Sequence, residues 1–190
     1  MHNQKLFNKY NKGTHWIGHP TEYAEHFSQF LKNKDFNGLL IDVGCGSGRD
    51  VSVFKQNGFN TKGIDNSEES IQSARSTYKG CNFNIGNAEQ LIFENESIDA
   101  FFMINVIHYI DPQKAVKEIK RTLKKNGYFF IHFNLKIIDK NGNTDYEQKR
   151  SKIDQLLKDF QVIEERVFER IDQKPVEHTH TILELILQKP

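Results

Sequence analysis

LLIDVGCGSGRD, residues 39–50, joins a short apolar run to a glycine-rich turn and sets one carboxylate, Asp42, inside the run. An apolar run of this length bounded by glycines has the pattern of a central strand buried on both faces, and such a turn feeding a helix commonly supports nucleotide-like ligands. The glycines alone leave the ligand open. Gly44, Gly46 and Gly48 are spaced two and two, whereas the dinucleotide fingerprint sets its third glycine three after the second, where Arg49 stands. A pyrophosphate on the helix N-terminus would also sit near Asp42, which repels a dianion and attracts an ammonium or sulfonium. Asp65, 21 residues beyond Gly44, falls where acidic residues accept hydrogen bonds from ribose hydroxyls. The expected ligand is a nucleoside with a positive end and no phosphate.

Outward from this stretch, strands and helices alternate. Upstream, Tyr23, Ala24, Phe27, Phe30 and Leu31 recur at helical spacing behind Thr21, a good N-cap residue. Downstream, Val51, Val53 and Phe54 with Gly58 as a stop predict a helix, and residues 59–64 a second strand ending at Asp65. Asn66 with Glu69 resembles a capping box for the next helix. Residues 82–85 predict a third strand, the highly apolar 98–106 a fourth, and 128–133 a fifth. Asp111-Pro112 caps the helix between the last two, which carries Ala115, Val116, Ile119 and Leu123. Residues 139–145 are a loop by composition and 146–160 an amphipathic helix. Residues 161–171 and 178–187 are joined by a segment too short for a crossover helix, so they pair antiparallel. The expected class is α/β: a Rossmann-like doubly wound seven-stranded sheet, mostly parallel with a C-terminal antiparallel hairpin and helices on both faces. Residues 1–190 are expected to form a single domain, with 1–36 an N-terminal arm and helix able to act as a lid and 37–190 the core.

The 26 Lys and Arg residues against 25 Asp and Glu leave a net charge of +1, so no global field draws the protein to nucleic acid or an anionic membrane. The run KEIKRTLKK, 117–125, alternates with apolar residues at helical spacing and reads as a solvated helix face. Cys45 and Cys81 have neither a paired framework nor metal-type spacing. With no apolar leader and no segment near the roughly 18 apolar residues of a membrane span, a cytoplasmic location is expected.

Five segments in order resemble the class I S-adenosylmethionine-dependent methyltransferases: IDVGCGSG at 41–48, GIDNS at 63–67, NAEQL at 87–91, SIDAFFMINVIHYI at 97–110 and LKKNGYFFI at 123–131. The resemblance implies that S-adenosylmethionine is the cofactor. It implies that Asp42 and the turn Gly44, Cys45, Gly46 and Gly48 lie along the methionine part, with Asp65 and Asn66 at the ribose. Asn87 and Ala88 would border the adenine and Asn105 the sulfonium. The family usually has Asp where Asn87 stands, so the hydrogen bond to the adenine amino group must come from an amide oxygen. Within the family, the arm HWIGHPTEYAEHF and the Arg49-Asp50 pair resemble small tellurite- and thiopurine-type enzymes. Tyr10, His15, Trp16 and His19 are candidates for a lid, an aromatic face near a sulfonium contributing on the order of 1 kcal/mol, with simple packing of the arm as the structural alternative.

Methyl transfer is an in-line displacement that asks mainly for alignment and exclusion of water, with a base where the acceptor carries a proton. His108 and Tyr109, just past the fourth strand, are the candidate catalytic residues; capping the turn and packing under the loop are their structural alternatives. His178 and His180 share a strand face, but the sequence shows no third ligand, so no metal is assigned. The proline-rich turn of many nucleic-acid methyltransferases is missing after Asn105, and the acidic metal cluster of catechol-type enzymes is not matched. A small-molecule acceptor is therefore expected, with nucleic acid disfavoured and the oligomeric state open. The competing readings are an NAD-binding oxidoreductase and a non-catalytic S-adenosylmethionine-binding module acting through a protein partner.

Overall fold

The computed structural model describes residues 21–173 and 175–190. Tyr10, Trp16 and the remainder of the expected lid arm lie outside the described residues. The Thr21 hydroxyl accepts from the Ala24 N–H at 3.3 Å and caps α1 (Glu22–Asn33). There follow β1 (Leu39–Val43), α2 (Arg49–Gln56), β2 (Asn60–Asp65), α3 (Glu68–Thr77), β3 (Asn82–Ile85) and β4 (Ile98–Met103). The chain continues as α4 (Pro112–Thr122), β5 (Leu123–Asp139), β6 (Thr144–Glu147), α5 (Arg150–Leu156), β7 (Gln161–Asp172) and β8 (His178–Gln188).

The strands form one sheet in the order β3-β2-β1-β4-β5-β8-β7, with β6 pairing to β5 off this path. Strands β1 to β5 are parallel, and β8 runs antiparallel to both β5 and β7. This is a Rossmann-like doubly wound sheet ending in an antiparallel hairpin. The chain winds outward from β1 to β3 and then returns to the other side of β1, which makes the β1–β4 junction a topological switch point.

Alternation along the strands sorts the core into two layers. Leu40, Phe102, Phe130 and Ile186 face α1 and α2, packing with Tyr23, Phe27, Leu31 and Phe54. Ile41, Phe101, Phe129 and Leu187 face the other way, against Ala115, Val116 and Ile119 of α4 and Ile153 of α5. A smaller cluster joins Ile71 and Ala74 of α3 to Val51, Phe83 and Cys45.

Four local readings need correction. The fourth strand stops at Met103, short of residue 106, because the chain turns out of the sheet through Asn105 at φ +55°. The helix expected at 146–160 begins at Arg150. Asp139 accepts from the N–H groups of Asn141 and Asn143, both at 2.9 Å, turning the chain so that Tyr146 pairs with Ile137 in β6, an eighth strand beyond the expected seven. The cap of α3 is Ser67 rather than Asn66: its hydroxyl accepts from the Ser70 N–H at 3.1 Å.

Candidate functional site

A cavity of about 800 Å³ opens at the carboxyl ends of the parallel strands, where the switch point parts β1 from β4. The turn after β1 is pressed tightly into its floor. The Gly44 N–H donates to Ile64 O at 2.7 Å, its φ is +74°, and a Cβ there would meet Val106 Cγ2 at 2.1 Å. Gly46 and Gly48 are not in the cavity wall but shape the turn behind it. The Gly46 N–H donates to Asp65 Oδ2 at 2.9 Å, and Gly48 is the left-handed N-cap of α2. Asp65 thereby ties two loops together, since its Oδ1 also accepts from the Ser67 N–H at 2.8 Å.

Carboxylates dominate this end of the cavity. Asp42 lines it while only 2% exposed, and burial, then the neighbouring Asp50 charge, push its carboxyl well above the usual range; Arg49 opposes them and Asp65 adds to them. Asp50 is also raised by burial, against the pull of Arg49 and of hydrogen bonds from Thr21. Its Oδ1 accepts from the Thr21 N–H at 2.8 Å and the Thr21 hydroxyl at 3.0 Å, which anchors the start of α1 at the cavity rim. Burial, then the Asp42 charge, push the Cys45 thiol up, so this wall residue is no nucleophile.

Cys45, Asp65, Asn66, Asn87, Ala88 and Asn105 line the same cavity with Asp42 and Gly44. Asn87 accepts at Oδ1 from the Glu89 N–H at 2.9 Å, which leaves that oxygen a second lone pair. Asn105 is exposed and holds a left-handed conformation that Asn tolerates better than most side chains. Of the two catalytic candidates, Tyr109 lines the cavity and His108 does not. His108 Nε2 accepts from the Asn134 N–H at 3.1 Å, and burial pushes the ring down to about 4, so it is neutral at pH 7 and the nitrogen a base would use is already engaged. The other end of the cavity is walled by Asn134 and Ile137 of β5 and by Arg170, Asp172, His178 and His180 of the hairpin.

A methyltransferase-domain family model matches residues 41–131, which run from β1 through the first half of β5 and contain every loop of the carboxylate-lined end. Over that segment the chain carries a methyltransferase domain of the class I S-adenosylmethionine-dependent type. It is similar to a bovine (Bos taurus) "Probable tRNA methyltransferase 9B", 32% identical over 108 residues that cover 55% of this chain and 23% of that protein. The chain therefore spans about a quarter of the length of such curated relatives. Among solved structures it resembles a methyltransferase of Methanosarcina mazei, with a TM-score of 0.67 and 22% identity, covering 80% of this chain and 92% of that one. TehB from Haemophilus influenzae gives a TM-score of 0.71 at 14% identity, covering 99% of this chain and 67% of that one. At these identities the solved structures speak for the fold.

The cofactor of this methyltransferase family is S-adenosylmethionine, and the cavity suits it on two observations. A buried carboxyl, Asp42, is held toward its neutral form in a way that a bound cation would relieve, and Gly44 leaves open backbone where any Cβ would clash. The sequence reading missed Asn134, Arg170 and Asp172 as wall residues; no short motif marks them, because they arrive through the pairing of β5, β8 and β7. Among the described residues, no helix is long and apolar enough to cross a membrane.

Proposed function

We propose that this chain transfers the methyl group of S-adenosylmethionine to a small-molecule nucleophile held at the hairpin end of the cavity. The observation that carries the reading is the buried carboxyl of Asp42 in a cavity that also contains Asp65, a pairing suited to a cationic nucleoside and hostile to a pyrophosphate. When bound, S-adenosylmethionine supplies an electrophilic methyl carbon whose bond to sulfur breaks as the bond to the acceptor forms. In this assignment Asp42 offers a countercharge, the Gly44–Cys45 turn lies along the methionine part, and Asp65 and Asn66 hold the ribose. Asn87 and Ala88 border the adenine, and Asn105 lies next to the sulfonium. Ile104, Val106 and Ile110, which line the same space, exclude water from the reacting centre. His108 acts as a positioning residue for Asn134 rather than as a base, and Tyr109, in the cavity wall, contacts the acceptor.

Small size of the acceptor is supported by the balanced charge and by the ion-paired cations of α4 and its flanks, Lys120 with Asp159, Arg121 with Glu118 and Lys124 with Asp99. The two free thiols fit work in the reducing cytoplasm. An RNA acceptor is the second reading, favoured by the similarity to the protein named as a tRNA methyltransferase. Calorimetric titration with S-adenosylmethionine and its demethylated product tests the first step, and absence of heat at millimolar ligand overturns it. Transfer of labelled methyl groups to a panel of small thiols, amines, hydroxyls and metalloid oxyanions, run beside unmodified tRNA, separates the two acceptors. Cofactor binding without transfer to any of them would point instead to a binding module.

A further inference from the structure

The hairpin end of the cavity holds a cluster that the cofactor assignment leaves unused. Antiparallel pairing sets Asp172 opposite His178, and His180, two residues along β8, shares their face of the sheet. One carboxylate oxygen and one nitrogen from each ring lie within 4.8 Å of one another, the only such group of metal-ligating residues among those described. His180 Nε2 is 3.4 Å and His178 Nε2 is 3.9 Å from Asp172 Oδ2. Ligand atoms bonded at about 2.1 Å to a tetrahedral ion stand about 3.4 Å apart, so both distances to the carboxylate lie within about half an ångström of that spacing, while the two ring nitrogens, within 4.8 Å of each other, close by up to about 1.4 Å through rotation of the imidazoles.

The outer contacts point the same way. His178 Nδ1 lies 2.6 Å from Val176 O, a carbonyl that can only accept, so Nδ1 carries the proton and the neutral ring turns the Nε2 lone pair toward the cluster. His180 repeats the pattern, with Nδ1 at 2.9 Å from Asn134 Oδ1. Arg170 grips the carboxylate from outside, Nε donating to Oδ1 at 2.9 Å and Nη2 to Oδ2 at 2.8 Å, and is itself held by a bond to the Tyr23 hydroxyl at 3.0 Å. Imidazoles whose far nitrogens are tied to carbonyl oxygens, facing an oriented carboxylate, are what the outer contacts of a metal centre produce.

We propose that Asp172, His178 and His180 form a zinc-type metal site whose remaining coordination position takes an electron-pair donor of the methyl acceptor from the cavity they line. The metal site stands on its own; only its role toward the acceptor rests on the methyl-transfer reading. Arg170 offsets the Asp172 charge, so affinity rests on the two imidazoles. That selects ions that favour nitrogen, such as Zn²⁺ and Co²⁺, over Mg²⁺ and Ca²⁺, which need a full oxygen shell.

The test uses the full chain without a polyhistidine tag, stripped with chelator and titrated calorimetrically with Zn²⁺, Co²⁺ and Mg²⁺, with S-adenosylmethionine binding measured separately on each sample. One Zn²⁺ or Co²⁺ per chain is expected, with the intense visible bands of tetrahedral Co²⁺ and no Mg²⁺ binding. Asp172→Asn and His180→Gln should each weaken Zn²⁺ binding by about tenfold or more, and the double variant should abolish the Co²⁺ bands while still binding S-adenosylmethionine. Failure of the unaltered chain to bind Zn²⁺, or equal binding by the double variant, overturns the site. Loss of metal with S-adenosylmethionine binding intact condemns the metal proposal alone; metal binding without S-adenosylmethionine binding condemns the methyl-transfer reading alone.

Discussion

Asp42 is held beneath the glycine turn at a cost to the ligand-free protein. Its carboxyl is raised above the unfolded value by burial and by Asp50, with Asp65 adding and Arg49 opposing. Between the unfolded and folded values the folded state binds the extra proton, so this residue's contribution to stability falls as pH rises through that window. A cationic ligand reverses the preference: it favours the carboxylate, so binding expels a proton and affinity rises with pH until Asp42 is ionised in the free protein too. Asp42→Asn is expected to melt higher than the parent at mildly alkaline pH without ligand, to bind S-adenosylmethionine about 1–3 kcal/mol more weakly, and to lose the pH dependence of binding. Melting curves and calorimetry across pH check all three, and an unchanged pH slope would remove Asp42 from the ligand's reach. Asp65 carries two kinds of work, joining the glycine turn to the cap of α3 and facing the cavity. Asp65→Ala should weaken cofactor binding by about 1–3 kcal/mol, and an unchanged dissociation constant would refute its placement at the ribose.

Elements differ in how openly the sequence declares them. The strand–turn–helix at 39–50 is legible because apolar run, glycines and helix start are contiguous, and the same holds for Asp111-Pro112, where Asp111 caps α4 by accepting from the N–H groups of Gln113 and Lys114. Asn66 and Ser67 are both good caps, and the choice falls to Ser67 because its N–H bonds to Asp65, a contact that composition does not encode. Strand β6 hides in a loop-like sequence since its pairing depends on β5 running on to Asp139. The hairpin end of the site was the least legible for the same reason: His178 and His180 show as a pair, while Asp172 joins them through cross-strand register and Asn134 through pairing of β5 with β8. Helix α1 illustrates a legible element with a checkable weight. Phe27 is fully buried, with its ring 5.3 Å from that of Phe130 and 6.0 Å from that of Phe102. Phe27→Ala should cost about 3–5 kcal/mol of unfolding free energy in urea titrations, and a loss under about 1 kcal/mol would mean that α1 is not part of the cooperative core.

The molecule as a whole constrains the acceptor through its charge. A polyanionic acceptor must be held by several cationic side chains at phosphates, and each such contact makes binding fall with salt, by roughly 0.7 in the log–log slope per contact for single strands and 0.9 for B-form duplexes. The net charge is +1, and Lys120, Arg121, Lys124, Arg150, Arg166 and Arg170 are each ion-paired within the fold, so a phosphate track that used these six would have to break existing pairs to form. Exposed pairs of this kind are individually weak, so the argument lies in how many would need to be given up together. A small acceptor bound between the carboxylate-lined end and the hairpin makes no such demand. Methyl transfer to a small acceptor should therefore change little between about 50 and 200 mM salt, while tRNA should be retained weakly at the lower value and lost at the higher. Filter binding of tRNA and methyl-transfer rates, measured on the same samples over that range, check this. Tight tRNA retention with a slope corresponding to six or more phosphates, together with methyl incorporation into the RNA, would replace the small-molecule reading with an RNA one.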